Sequence, residues 1–136
     1  MNKEKFTILQ KQVSKDLSWN KDNVQEKLIE QSILHNKYLK LFIKETQLLK
    51  AIKIEKDRTY GKLYHHYKFE GDFELDNKLE VDTYIKANDD FYKISLKYSY
   101  QETVVKFLEE ILKEINTIGF DIKGFIEIEK FKKGIY

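Results

Sequence analysis

The chain is predicted to be mainly α-helical, and three observations point there. Its 136 residues include no proline. Apolar side chains recur every three or four residues over two long stretches, which is the helical period. The first stretch, about Asn23 to Tyr67, contains only one glycine, Gly61. The expected architecture is a long helix plus C-terminal amphipathic helices, with a small β or extended element near residues 81–100. A chain of this length is expected to form a single domain over residues 1–136.

The long helix carries Leu34, Tyr38, Leu41, Leu48 and Ile52 on one stripe, with Leu28, Phe42 and Leu49 beside it. Such a stripe serves as core or as a coiled-coil seam. A continuous helix of this length spans roughly 65 Å, against about 30 Å for a compact domain of this size. It must therefore bend back on itself or project and pack on another chain. Before it, Lys3 to Asp16 spaces Phe6, Leu9, Val13 and Leu17 as a short amphipathic helix that caps the long one. Ser18 to Asn23 is a break, with Asp22 or Asn23 as N-cap and Trp19 as a staple across the helix start.

After the long helix the charge inverts. Between Phe69 and Asp82, six carboxylates (Glu70, Asp72, Glu74, Asp76, Glu80, Asp82) face Lys78 alone, a net of −5. Gly71 marks a turn, and the acids miss the ligand positions of a calcium loop, so a solvated loop is expected. Val81–Ile85 and Phe91–Tyr100 alternate polar and apolar residues and are expected as short strands around an Ala87–Asp90 turn. Ser99-Tyr100-Gln101-Glu102 has capping-box spacing. It is expected to open a helix through Val104, Leu108, Ile111, Ile115 and Ile118 that stops at Gly119. Ile122, Phe125, Ile128 and Phe131 follow at steps of three, a last short amphipathic helix, while Ile126 and Ile128 alone also fit a strand.

Composition excludes several classes. Without cysteine there is no disulfide framework, thiolate metal site or thiol nucleophile. No apolar run approaches a membrane span and no secretory signal opens the chain, so a cytoplasmic protein is expected. His35 stands alone, and the adjacent His65 and His66 diverge on a helix instead of chelating one metal. No phosphate loop, H-E-x-x-H or G-x-S-x-G motif is present. No enzyme and no cofactor is expected.

What remains is a mixture of cations and rings. From Lys50 to Lys68, six basic residues (Lys50, Lys53, Lys56, Arg58, Lys62, Lys68) outnumber Glu55 and Asp57, a net of +4. Tyr60, Tyr64, His65, His66 and Tyr67 interleave with them. Lysines neutralise phosphates, and aromatic faces stack on unpaired bases, so single-stranded nucleic acid is the expected ligand. The candidate contacts are Lys53, Lys56, Arg58, Tyr60, Lys62, Tyr64, His65 and His66. Arg58 is the only arginine, and the net charge is just +2. The competing reading is a coiled-coil adaptor with protein partners only, in which acidic loop and basic helix neutralise each other across subunits.

Gly119-Phe120-Asp121-Ile122-Lys123, followed by Phe131 and Gly134, resembles the ending of the UvsY-like recombination mediators of T-even-type phages. Lys37-Tyr38-Leu39, Ile54-Glu55 and Lys62-Leu63 run parallel to the same family, so the resemblance spans about Val24 to the end. It implies a non-enzymatic, ring-like homo-oligomer that binds single-stranded DNA. Such a protein helps load a RecA-like recombinase onto DNA covered by single-strand-binding protein, in the cytoplasm of an infected host cell. In the family's basic motif Lys62 takes an arginine position, Tyr60 replaces a lysine, and His65-His66 stand for a tyrosine pair. Arg58 and Lys56 are expected to compensate. The resemblance also gives the interface use of Ile122, Phe125, Ile128 and Phe131.

Overall fold

The computed structural model describes residues 1–70 and 77–134. Four α-helices follow in order: α1 (Lys3–Leu17), α2 (Val24–His65), α3 (Lys78–Ala87) and α4 (Asp89–Lys132). A five-residue π-helical turn, His66–Glu70, continues α2. The described residues contain no strand. Gly71, Asp72, Glu74 and Asp76 of the expected acidic loop lie outside them, while its Glu80 and Asp82 stand on α3, helical and not in a loop.

Asparagines punctuate this fold. The Asn2 side chain accepts from the Lys5 amide at 2.8 Å and opens α1. Asn77 does the same for α3 through the Glu80 amide at 2.9 Å. Asn88 ends α3 and starts α4, its amide oxygen accepting from Asp90 N at 2.9 Å and Phe91 N at 3.3 Å. Each satisfies helix N–H groups that lack a partner in the first turn. Asn23 is different: its side chain turns back to accept from Asn20 N at 2.8 Å, closing the break between α1 and α2.

Two expectations about the second half are corrected. Residues 81–85 and 91–100 are helical, not strands. Alternation over a few residues shares its i and i+4 positions with a helix. Val81 and Ile85 are both fully buried while Thr83 is exposed, donating its hydroxyl back to Leu79 O. Ile94 is likewise buried while Leu96 is 53% exposed. The helix expected to open at Ser99 opens at Asn88. It runs through Gly119 to Lys132 and absorbs the separate last helix. Its stop is Gly134, whose φ of +71° is the left-handed conformation that glycine adopts at no steric cost.

Packing falls into two compact units, residues 1–44 with 104–136 and residues 45–103. In the first, α1, the start of α2 and the end of α4 share a core. Leu9, Val13, Tyr38, Leu108, Ile115 and Ile122 are buried there. Phe6 meets Phe107 edge-on at 5.3 Å, and Trp19 meets Phe125 edge-on at 6.0 Å. Lys37 Nζ and Tyr38 Oη both donate to Asp16 Oδ2, at 2.8 and 2.6 Å. The second unit buries Ile52, Val81, Ile85 and Ile94. There the Gln101 amide donates to Glu45 O at 3.0 Å and to the buried Glu45 carboxylate at 2.7 Å.

Two glycines inside helices play opposite parts. Nothing stands within 4 Å of where a Gly61 Cβ would sit. A Cβ on Gly119 would collide with the Gln31 side-chain amide, and that amide donates to Ile115 O at 3.3 Å. Gly61→Ala should therefore stabilise the fold by about 0.5–1 kcal/mol, the helix-propensity gain alone. Gly119→Ala gains as much but displaces a hydrogen bond worth about 1 kcal/mol, so its net should be near zero. A cavity of about 20 Å³ lined by Gln31 and Gly119 gives the displaced amide somewhere to go. Urea midpoints of the two variants check the ranking, and Gly119→Ala matching Gly61→Ala would contradict it.

Candidate nucleic-acid interface

The expected contact residues lie in the second unit, on α2 and the π turn, and a helix cannot present them all on one side. At about 100° per residue, Lys53, Lys56, Tyr60 and Tyr64 share one flank, while Arg58, Lys62 and His65 share the opposite one.

Much of the first flank is engaged inside the unit. The Lys56 ammonium lies 4.8 Å from the Tyr98 ring centroid and 5.8 Å from that of Phe91. The Tyr60 ring meets Phe91 edge-on at 5.8 Å and lies 6.3 Å from the Tyr64 ring. Tyr60 Oη donates to Asp82 Oδ1 at 3.1 Å. Desolvation, then this hydrogen bond and the Asp82 charge, push the Tyr60 hydroxyl above the usual phenol range. Asp82 is held below the usual carboxylate range, first by Lys86 at 3.0 Å and then by Tyr60. Tyr64 is half-buried, with Lys68 Nζ 5.5 Å from its ring centroid. Lys53 is exposed.

The π turn gathers the remaining rings. His65 Nδ1 and His66 Nδ1 lie 3.4 and 3.5 Å from the two carboxylate oxygens of Glu70. The two imidazoles are 62% and 54% exposed, open to a ligand in spite of that carboxylate. Tyr67 packs on Tyr84 at 5.7 Å and accepts from Asn88 Nδ2 at 3.0 Å, tying the turn to the start of α4. The described residues contain no cluster of acids and histidines able to hold a metal ion.

On the second flank His65 faces Glu70, and the two cations stand clear. Arg58 and Lys62 are exposed one helical turn apart, and neither makes an ion pair among the described residues. Lys62 also lines an open cleft of about 470 Å³ between α2 and α4. Glu55, Thr59 and Leu63 of α2 line it too, with Asp90, Lys93, Ile94 and Lys97 of α4 opposite. Lys97 Nζ is 3.9 Å from Glu55 Oε2. Lys93 and Lys97 lie outside the Lys50–Lys68 segment whose composition points to nucleic acid. Their i, i+4 spacing puts both on one side of a strand or a helix alike, and the packing of α4 beside α2 is what brings them to Lys62.

Of the expected interface residues, Ile122 is 1% exposed and belongs to the core of the first unit. Phe125 is half-buried against Trp19. Ile128 and Phe131 are 57% and 69% exposed, on the same side of α4 as Phe120 at 75%. No described helix is long and apolar enough to cross a membrane.

A sequence profile described as "Recombination, repair and ssDNA binding protein UvsY" matches residues 12–135. No curated protein matches the chain significantly. Among solved structures, the chain is similar to crystal forms of the bacteriophage T4 recombination mediator protein UvsY. One aligns with a TM-score of 0.85 at 22% identity, covering 98% of this chain and 98% of that one. A second gives 0.83 at 20% identity, covering 93% and 98%. A third gives 0.81 at 22% identity, covering 91% and 98%.

Proposed function

This chain belongs to the UvsY family, and from that premise we propose that it is a non-catalytic recombination mediator that binds single-stranded DNA on the Arg58–Lys62 flank of α2. It assists loading of a RecA-like recombinase onto DNA covered by single-strand-binding protein, in the cytoplasm of the infected host cell. The observation that carries this is the pair of free cations. Arg58 and Lys62 are exposed and unpaired among the described residues, whereas Lys56, Lys86 and Lys97 are occupied within the chain. His65 and His66 offer exposed ring faces beside the pair, while Lys53 and Tyr64 lie on the opposite flank of α2. Tyr60 and Lys56 hold this end of α2 in shape and reach the strand only by giving up their partners in the unit.

A net charge of +2 is small for a polyanion binder. Repetition of one basic patch around a ring-like homo-oligomer answers this, because linked weak sites bind one strand with avidity. Ile128 and Phe131 are the interface residues that the monomer leaves exposed. An Ile128→Glu, Phe131→Glu double variant should keep its helical circular dichroism and sediment as a smaller particle. Unchanged sedimentation would remove this end of α4 from the interface.

The test of strand binding is fluorescence anisotropy of labelled oligo-dT, with a duplex of equal length alongside, at low and high salt. Tight, salt-sensitive binding that favours the single strand is expected. The competing reading, a coiled-coil adaptor with protein partners only, draws on Ile29, Ile33 and Ile43, which are 75%, 67% and 48% exposed on α2. It takes over if the folded, oligomeric protein binds no DNA at low salt.

A further inference from the structure

The α2–α4 cleft of the second unit holds more positive charge than the Arg58–Lys62 flank needs, and part of that charge is masked. Lys62, Lys93 and Lys97 line it against two carboxylates, Glu55 and Asp90. Its volume of about 470 Å³ lies within the ~300–1,000 Å³ typical of small-ligand sites, room for about one nucleotide unit. The floor is apolar, with Ile94 7% exposed and Leu63 half-buried. The Thr59 hydroxyl donates to Glu55 O at 2.9 Å, so its one proton is already engaged and not free for phosphate. Among the described residues lining it, the lysines are therefore the groups with a strong claim on an anion.

Glu55 sits at the centre of this balance. Its contact with Lys97 is long, 3.9 Å, and both side chains are about 60% exposed. Exposed pairs of this kind are weak, because water screens them and two long side chains must be held in one geometry. A phosphodiester that also engages Lys62 and Lys93 can therefore replace Glu55 as the partner of Lys97. With this resting on the strand-binding reading above, we infer that the α2–α4 cleft is a second backbone-phosphate site, in which Lys93 and Lys97 face Lys62 across the strand and Glu55 is a built-in competitor that weakens binding. The carboxylate keeps the resting charge low and makes release of the strand easier, as a protein that hands DNA onward requires.

The experiment is a salt titration of labelled oligo-dT binding by the full chain. Lys93→Gln with Lys97→Gln should flatten the dependence of log K on log salt by about 1.4, two single-strand contacts at about 0.7 each. Glu55→Gln should bind about two- to fivefold tighter at low salt, the fold-change that loss of a weak competing pair allows. All three side chains are exposed, so the helices should form in each variant, which circular dichroism verifies. A wild-type slope in the lysine variant, or no gain from Glu55→Gln, overturns the cleft site while strand binding elsewhere stands. Failure of the unaltered protein to bind at low salt overturns the proposed function and this site with it.

Discussion

Tyr38→Ala should destabilise the fold by about 3–5 kcal/mol, read as a lower urea midpoint with helical circular dichroism as the probe. The side chain is 0% exposed, so its removal leaves a cavity among residues that relax only in part. The change also deletes the hydroxyl that donates to Asp16 at 2.6 Å, one of the ties between α1 and α2. Tyr38→Phe separates the two losses by keeping the ring, and its cost should be about 1–2 kcal/mol. A pH series adds a signature that packing alone does not have. Burial, then the Asp16 hydrogen bond and charge, hold the Tyr38 hydroxyl above its ordinary value of 10.0. Its contribution is whole below that value and is lost as pH rises toward the raised folded-state value. Asp16 behaves in the opposite sense. Burial pushes its carboxyl up, but hydrogen bonds from Lys37 and Tyr38 and the charges of Lys37 and Lys27 outweigh it and hold the group below 3.8. That contribution is present above 3.8 and is lost as pH falls through the lowered value. Relative to wild type, Tyr38→Phe should therefore lose less stability above about pH 10, leaving the alkaline loss due to Tyr60 in place. Parallel curves for the two proteins across that range would refute the coupling.

The parts of this fold that were legible from sequence are those set by local chemistry. The periodicity of α2 predicted Asn23 to Tyr67, and the helix runs Val24–His65 before the π turn continues it. The family resemblance, carried by the tail motif and its spacing, is borne out by a match over residues 12–135. The misreadings share a cause: a signal that two structures satisfy. Lys93 to Tyr100 alternates, yet burial of Ile94 and Gln101 seven residues apart follows a helix. Glycine favours helix ends and so predicts a stop at Gly119, but its missing side chain lets Gln31 approach from α2. The candidate site was legible in composition and not in direction. Which cations and rings are free depends on Phe91 and Tyr98 engaging Lys56 and on Asp82 engaging Tyr60 from other helices, and nothing within Lys50–Lys68 encodes them.

Arg58→Glu with Lys62→Glu should abolish measurable single-strand binding at moderate salt while leaving the fold intact. Neutralising the same pair to glutamine should flatten the salt slope by about 1.4. That change alone is worth about sevenfold in affinity between 50 and 200 mM salt, and reversal goes further by placing two anions where phosphates bind. The effect multiplies in an oligomer, because each strand crosses the same altered patch on several subunits. Stability should be nearly indifferent, since both side chains are exposed and unpaired among the described residues. Lys56→Gln is the internal comparison. Its ammonium lies over Phe91 and Tyr98, so it should cost about 0.5–1 kcal/mol of stability and move the salt slope less than the Arg58–Lys62 pair does. If Lys56→Gln instead flattened the slope and the pair did not, the strand would run along the opposite flank of α2, over Lys53, Lys56 and Tyr60. The internal contacts of that flank would then have to open whenever DNA binds.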